Sequence, residues 1–237
     1  MYLHYEPNFR GELYMQWVYH NPVFDVDYVH PSIRLSSAWV GHNHFAYDFI
    51  RFMKPKKVVE LGTHYGSSFY SFCQGIKDEQ LSAECFAVDT WKGDLHSGPY
   101  GENVFEMVSY VTNHCYPTIG RLIRSTFDDA LHLFEDESID VLHIDGYHTF
   151  EAVSHDFETW LPKVSKNGAV LFHDIAVLDR DFGVYKLWET LKKQHPYLEF
   201  SHSYGLGVLF PKGYDNKFQD VFDKKEELQK KYAGSNI

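Results

Sequence analysis

Cysteine is scarce in this sequence, which has three cysteines in 237 residues: Cys73, Cys85 and Cys115. Their number is odd and no CxxC pair occurs, so neither a disulfide framework nor a thiolate zinc site is indicated. The chain has no run of 18 apolar residues that would predict a transmembrane helix. The start of the sequence lacks the basic region and apolar core of a signal peptide. We therefore expect a cytoplasmic globular protein.

Basic residues are also few, with 22 Lys and Arg against 33 Asp and Glu and a net charge of −11. A sequence-independent nucleic-acid site depends on neutralising phosphates with Lys and Arg, so we expect no nucleic-acid partner. The hydrophobic fraction of 44% and the aromatic fraction of 17% are too high for a disordered chain. The length fits one decorated α/β domain or two small domains.

Short apolar runs alternate with helical patterns from Lys57 onward. The predicted strands are residues 57–61, 84–89, 121–125, 140–145 and 167–174, and the predicted helices are residues 38–52, 67–76 and a helix from about residue 150 that Thr149 caps. Such alternation implies right-handed βαβ units and a mainly parallel, doubly wound sheet. Residues 197–203 and 204–210 read as an antiparallel hairpin at one edge, and residues 217–232 as a charged, solvated surface helix.

Three segments follow from this pattern. Residues 1–50 are predicted to form an N-terminal helical cap, and residues 51–212 the main α/β domain. Residues 213–237 carry the charged helix and are expected to belong to the same unit.

Ligands of open parallel sheets collect at the carboxyl ends of the strands. Gly62 and Gly66 follow the first predicted strand and permit a tight turn and a close backbone approach, while Ser67 or Ser68 is placed to cap the next helix. Asp89 ends the second strand, 23 positions beyond Gly66, where an acid suits a ribose diol. The candidate cofactor-binding residues are Glu60, Gly62, Thr63, Gly66, Ser67, Ser68, Asp89, Thr90, Trp91, Ser125, Thr126, Phe127 and Asp145.

The glycine loop indicates a nucleoside-containing cofactor without a pyrophosphate. Dinucleotide enzymes use G-x-G-x-x-G, in which the middle glycine lets the pyrophosphate approach. This loop is G-x-x-x-G, with His64 where that glycine would stand. A cofactor with an amino-acid tail suits it better, because an acid and backbone amides can meet the ammonium and the carboxylate.

These residues resemble the class I S-adenosylmethionine (SAM) methyltransferases over about residues 38–212. Glu60-Leu-Gly-x-x-x-Gly66 matches the first motif of the family, Asp89 its ribose acid, and the hairpin its reversed seventh strand. The stretches "IDGYHTFEAVSHDFETWLPKVSKNGAVLFHD" and "VDTWKGDLHSGPYGENVF" are similar to methyltransferases of the family 24 type, which include bacterial glycosyltransferase-associated and metal-using sugar O-methyltransferases. The resemblance implies a Rossmann-like sheet of seven strands and O-methylation of a sugar in polysaccharide or related biosynthesis.

The resemblance also implies roles for the acids and histidines after the fourth and fifth strands. In the metal-using relatives an aspartate like Asp145 holds Mg²⁺, and a histidine like His148 is the general base. Asp174 matches a second metal ligand. This chain departs from the pattern by placing His173 beside Asp174, and a histidine ligand suits Mn²⁺, Fe²⁺ or Zn²⁺ better than Mg²⁺.

Several readings remain open from the sequence. Trp91 either stacks on the adenine or covers the loop, and His96 and Tyr100 lie in a long segment where active-site lids often occur. An NAD-dependent oxidoreductase and a non-catalytic SAM-binding protein are the rival functions. The sequence is compatible with a homo-oligomer, and the resemblance implies a glycosyltransferase partner.

Overall fold

The computed structural model describes residues 5–7 and 13–233. Its strands are β1 (Tyr5–Pro7), β2 (Leu13–Met15), β3 (Lys57–Leu61), β4 (Glu84–Asp89), β5 (Gly93–Asp94), β6 (Gly98–Pro99), β7 (Gly120–Arg124), β8 (Ile139–Ile144), β9 (Val164–His173), β10 (Tyr197–Phe200) and β11 (Leu206–Leu209). Its α-helices are α1 (Asp25–Val29), α2 (Ser32–Leu35), α3 (Asn43–Met53), α4 (Ser67–Asp78), α5 (Glu102–Cys115), α6 (Phe127–Ala130), α7 (Phe150–Trp160), α8 (Val184–Leu191), α9 (Gln219–Asp223) and α10 (Lys225–Ala233).

Seven strands form one sheet in the order β10-β11-β9-β8-β3-β4-β7. Strands β3, β4, β7, β8 and β9 run parallel, and β11 pairs antiparallel with both β9 and β10. The predicted Rossmann-like sheet with a reversed hairpin strand is confirmed.

The order of the strands reverses beside β3. The chain passes from β3 to β4 and β7 on one side, then returns to β8 on the other. Leu61 pairs with Ile144 at the carboxyl ends of β3 and β8, and the Asp145 amide donates to the Leu61 carbonyl at 2.9 Å. The loops after these two strands therefore diverge from one point, where doubly wound sheets hold ligands.

Apolar side chains pack on both faces of the sheet. Along β3, Val58 joins the cluster formed with α3, α4 and α5, and Val59 joins the cluster formed with α7 and α8. Both valines are fully buried, and burial of such a side chain stabilises the fold by about 1.5–3 kcal/mol. A sheet buried on both faces explains why its strands read as continuous apolar runs.

Two details differ from the sequence predictions, and a third agrees with them. The predicted helix 38–52 is a 3₁₀ turn (Ala38–His42) followed by α3, with Ser37 capping the turn. Helix α4 begins at Ser67 with Gly66 as its N-cap, so neither Ser67 nor Ser68 caps it. Thr149 does cap α7, where its hydroxyl accepts from the Ala152 amide at 3.3 Å.

The charged C-terminal segment is neither one helix nor wholly solvated. It is a 3₁₀ turn (Asn216–Phe218) followed by α9 and α10. Phe218, Val221, Leu228 and Tyr232 are buried against the core. Aromatic and aliphatic side chains spaced among the charged residues thus form an apolar face. The high charge of the segment had predicted a solvated helix instead.

Candidate active site

A cavity of about 920 Å³ opens at the carboxyl ends of the parallel strands, within the usual range for ligand sites. The loops after β3, β4, β8 and β9 form its floor, and the segment around α2 forms one wall. The β5–β6 hairpin adds Gly93, Asp94 and Ser97 to the rim. The predicted location of the site therefore coincides with a cavity large enough for a cofactor.

The glycine loop is constrained by backbone geometry. Gly62 has φ +86°, and a Cβ there would lie 2.1 Å from the Asp145 carbonyl oxygen. Gly66 has φ +87°, and its Cβ would press on the ring of Tyr70. Only glycine avoids both the left-handed strain and these contacts. The loop after β3 can therefore lie close to β8 and leave its amides beside the cavity.

Asp89 fixes the shape of that loop through three backbone amides. Its Oδ2 accepts from Thr63 and His64 at 2.9 and 3.0 Å, and its Oδ1 accepts from Trp91 at 2.6 Å. A carboxylate has about four acceptor positions, so Oδ1 retains room for one more donor. Asp89 lines the cavity and can accept a ribose hydroxyl there while it holds the loop.

The candidate cofactor residues separate into two sets. Those that line the cavity are Gly62, Thr63, Gly66, Ser67, Ser68, Asp89, Thr90, Thr126, Phe127 and Asp145. Glu60, Trp91 and Ser125 are outside the lining. The Trp91 indole is 1% exposed and donates to the His64 carbonyl at 3.0 Å. Of the two alternatives for Trp91, this contact agrees with the one in which its side chain covers the glycine loop.

Glu60 is fully buried behind the glycine loop. Its Oε2 pairs with Nδ1 of His143 on β8 at 2.9 Å, and Oε1 has no hydrogen-bond partner among the described residues. Burial raises the pKa of the carboxyl group, and the hydrogen bond from His143 opposes that rise. A cofactor role for Glu60 remains a prediction.

Sequence reasoning missed one aromatic pair at the cavity. The ring of His64 stacks on Tyr100, with 4.5 Å between centroids and 17° between planes, and both residues line the cavity beside Asp89. The sequence pattern marks His64 only as the residue that stands in place of a glycine. The ring contacts a segment 36 positions away, and the residue has a left-handed φ of 50°; no local pattern reveals either feature.

Two acids and two histidines meet at the ends of β8 and β9. Nε2 of His148 lies 2.9 Å from Oδ2 of Asp174 and 3.5 Å from Oδ1 of Asp145. Nδ1 of His173 lies 3.4 Å from Asp145 and 3.5 Å from Asp174. Asp174 has a left-handed φ of 62°, and such strain in a non-glycine residue is typical of functional sites. The four residues predicted to act on the acceptor hydroxyl or to bind the metal therefore lie in one cluster.

Their mutual contacts shift their pKa values. Burial opposes the charged forms, but the neighbouring carboxylates raise the pKa of His148 to about 10 and that of His173 to about 9. The histidines in turn hold the pKa of Asp145 well below its usual range, against the effect of burial. Positive charge is thus favoured between the two aspartates.

The same cluster has the spacing of a metal site. Single ligand atoms of Asp145, His148 and Asp174 lie within 4.8 Å of one another. Nε2 of His173 faces the Ser203 carbonyl at 3.1 Å and must donate to it, so the lone pair of a neutral His173 faces the carboxylates. Acceptors that face one another require a proton or a cation between them. The residues present fit a divalent cation, and imidazole donors suit Mn²⁺ or Zn²⁺.

The seven-stranded sheet, with this glycine loop and a carboxylate at the end of β4, is an α/β Rossmann-like methyltransferase fold. Residues 59–175 match the family model described as a methyltransferase domain. The chain therefore contains a methyltransferase domain, and the predicted resemblance to SAM-dependent methyltransferases is confirmed.

The chain is also similar to individual proteins. An uncharacterised protein, y4gI of Sinorhizobium fredii, is 46% identical over 174 residues, which are 73% of this chain and 19% of the relative. The chain thus spans about a fifth of the length of that relative. A methyltransferase structure from Geobacter sulfurreducens has a TM-score of 0.58 at 16% identity, covering 81% of this chain and 92% of its own.

A third comparison is with the O-methyltransferase TomG from Streptomyces achromogenes, determined in complex with SAM. It has a TM-score of 0.53 at 14% identity and covers 78% of this chain and 95% of its own. This likeness shows a shared fold. Among the described helices, none is long and apolar enough to cross a membrane.

Proposed function

We propose that this enzyme transfers the methyl group of SAM to a sugar hydroxyl with the help of a divalent cation. One observation carries the proposal: Asp145, His148, His173 and Asp174 converge at 2.9–3.5 Å beside the glycine loop. A pocket with a cofactor loop on one side and convergent ionisable groups on the other suits group transfer between two ligands.

The glycine-loop side is proposed to hold SAM. The amides of the loop and the start of α4 suit a carboxylate tail, and Asp89 is placed to accept from the ribose. Thr126 and Phe127 also line the cavity and would offer an edge and a face to the adenine. The SAM-bound state of TomG, which shares the fold, supports this placement.

The acceptor side is proposed to ionise and orient a hydroxyl. Methyl transfer from a sulfonium needs an aligned acceptor oxygen that has lost its proton. Asp145 and Asp174 would hold the cation, which would lower the pKa of two neighbouring hydroxyls and fix their orientation. His148 would take the proton at Nε2, and its side chain, 16% exposed, is the more accessible of the two histidines.

The two histidines divide the remaining roles. Because the His173 side chain is only 3% exposed and its Nε2 is committed to a backbone carbonyl, it suits a ligand better than a base. The inter-atomic spacing in this structure groups His148 with the two aspartates. Asp145, Asp174 and His173 would hold the cation, which would leave Nε2 of His148 for the acceptor hydroxyl.

The acceptor class is proposed from the resemblance and from polar and aromatic residues of the cavity lining. His30, Ser37, Tyr65 and Tyr147 line the cavity, and such hydroxyl, imidazole and aromatic groups suit a polyhydroxylated ring. A longer relative, of which the matched region is 19%, supports joint action with another domain. We propose a glycosyltransferase as that partner.

The test is methyl transfer from SAM to a panel of sugars, nucleotide sugars and glycosides, with Mn²⁺, Mg²⁺ or a chelator. Turnover that depends on the cation and falls at least 100-fold in His148→Ala, with unchanged SAM affinity, is the expected result. His155→Ala is the matched control, because His155 lies on α7 and pairs with the exposed Asp128. Unchanged turnover in His148→Ala would remove His148 as the base.

A further inference from the structure

Two loops that the proposed mechanism does not use meet over His148. The turn of the β5–β6 hairpin carries His96, whose Nδ1 lies 3.2 Å from Nδ1 of His148. The segment after β9 carries Asp181, whose Oδ1 lies 2.7 Å from Nε2 of His96. Asp181, His96 and His148 thus form a continuous chain of contacts from solvent to the site.

The positions of the protons in this chain follow from its ends. The Asp181 carboxylate can only accept, so Nε2 of His96 must carry a hydrogen. A neutral His96 then has a lone pair on Nδ1, and it accepts a hydrogen from Nδ1 of His148. With Nδ1 protonated, the remaining nitrogen of His148 is Nε2, which faces Asp145 and Asp174.

A charged His148 satisfies every one of these contacts, because it donates from Nδ1 to His96 and from Nε2 to Asp174. With Nδ1 committed to His96, Nε2 is the nitrogen that faces a hydroxyl bound in the cavity.

Aromatic packing fixes the rings in this arrangement. Phe182 stacks on His148 at 4.6 Å and 7° and on His96 at 4.5 Å and 22°. The hairpin turn is itself held by Asp94, whose Oδ1 accepts from the amides of His96 and Ser97, each at 2.7 Å. The His96 side chain is 7% exposed, whereas Asp181 is 60% exposed. An ion pair with one partner so exposed contributes little stability, which favours an orienting function.

We propose that His96 and Asp181 are positioning residues that fix the hydrogen on Nδ1 of His148 and so direct Nε2 to the reacting hydroxyl. The inference rests on the proposed function for the role of Nε2, and on the geometry alone for the chain of hydrogen bonds. Partners that set the tautomer of a functional histidine in this way are common around metal and catalytic sites.

The experiment is ¹⁵N NMR of the protein labelled in its histidine rings, in the absence of metal. The expected signature is a ¹⁵N–¹⁵N coupling across the hydrogen bond between His148 and His96, with the hydrogen on Nδ1 of His148. His96→Phe keeps a ring beside Phe182 but should abolish this coupling, which assigns the signal. Asp181→Ala should broaden or abolish it, because His96 loses the acceptor that fixes its own tautomer.

Asp179→Ala is the matched control. Asp179 lies two residues away on the same loop, is 72% exposed and pairs with Arg180, so its removal changes the charge equally without touching His96. A signal unchanged in Asp181→Ala, equally weakened in both variants, or showing the hydrogen on Nδ1 of His96 would overturn the proposal. SAM titration of each variant shows that it is folded. Wild-type protein that gives the NMR signature but transfers no methyl group to any sugar would contradict the proposed function and leave the chain of hydrogen bonds intact.

Discussion

The two halves of the cavity are built by different means. The cofactor half, after β3 and β4, is shaped by backbone: two glycines with positive φ and one carboxylate that accepts from three amides. The acceptor half, after β8 and β9, is shaped by ionisable side chains, with two histidines between two aspartates. Steric constraints therefore fix the shape of the cofactor half. The arrangement of the acceptor half depends on the protons or cations that lie between its side chains.

This difference predicts separable behaviour of the two ligands. A backbone cradle should bind SAM in a manner insensitive to metal. A cluster of facing acceptors should bind a cation regardless of SAM. The following substitutions test that separation, from the largest expected effect to the smallest.

Gly62→Ala should have the largest effect. A Cβ at this position would overlap the Asp145 carbonyl at 2.1 Å, so the substitution should destabilise the fold by about 3 kcal/mol or more and abolish SAM binding. Denaturant unfolding and calorimetry measure the two effects.

Gly98→Ala is the control, because Gly98 also has positive φ but its Cβ would meet nothing within 4 Å. It should cost about 1 kcal/mol. Equal losses in both variants would show that strain, and not the contact with β8, shapes the loop.

Asp89→Asn and Asp145→Asn should divide the two ligands between them. An amide at position 89 places a donor against backbone donors, so SAM affinity should fall about tenfold or more while Mn²⁺ binding is kept. An amide at position 145 removes a charged ligand, so Mn²⁺ affinity should fall about 100-fold while SAM binding stays within threefold. Calorimetric titration of each variant with SAM and with Mn²⁺ gives four dissociation constants. A common loss of both ligands in either variant would contradict two independent halves.

Asp156→Asn should have the smallest effect, and one that depends on pH. Asp156 lies on α7 behind Gly146, and burial raises its pKa to about 7. A raised acid pKa means that stability is lost as pH rises from the unfolded value toward 7. The variant should therefore be more stable than wild type at pH 8, by about 1 kcal/mol, and nearly equal at pH 4.

Thermal unfolding of the variant and wild type at both pH values measures this difference in stability. The control is Glu158→Gln, at an exposed neighbouring position, which is expected to show no such difference. Equal stability of the variant and wild type at pH 8 would contradict the raised pKa of Asp156.

The fold and the cofactor half could be predicted because their signals are local. Strand alternation, Gly62 and Gly66, and the acid at the end of β4 each follow from sterics within a few residues. The gathering of Asp145, His148, His173 and Asp174 was also predictable, because adjacent parallel strands end at the same edge.

The remainder depends on contacts between distant segments. Nothing near Asp181 in the sequence indicates that it pairs with His96, 85 positions earlier. Trp91 is likewise buried and bonded to the His64 carbonyl, 27 positions earlier, and no residue preference signals its left-handed φ of 52°. The charged C-terminal helices bury Leu228 and Tyr232 because tertiary packing selects one face of a segment that is polar on average.

The most direct test of the central claim is calorimetric titration of metal-stripped wild-type protein with SAM, repeated with Mn²⁺ and in the reverse order. Two separable halves predict one SAM and one Mn²⁺ per chain, with the affinity of each changed less than about threefold by the other. Absence of SAM binding under both conditions would contradict the assignment of the cavity as a methyltransferase site. SAM binding that requires Mn²⁺ would show that the two halves form a single site.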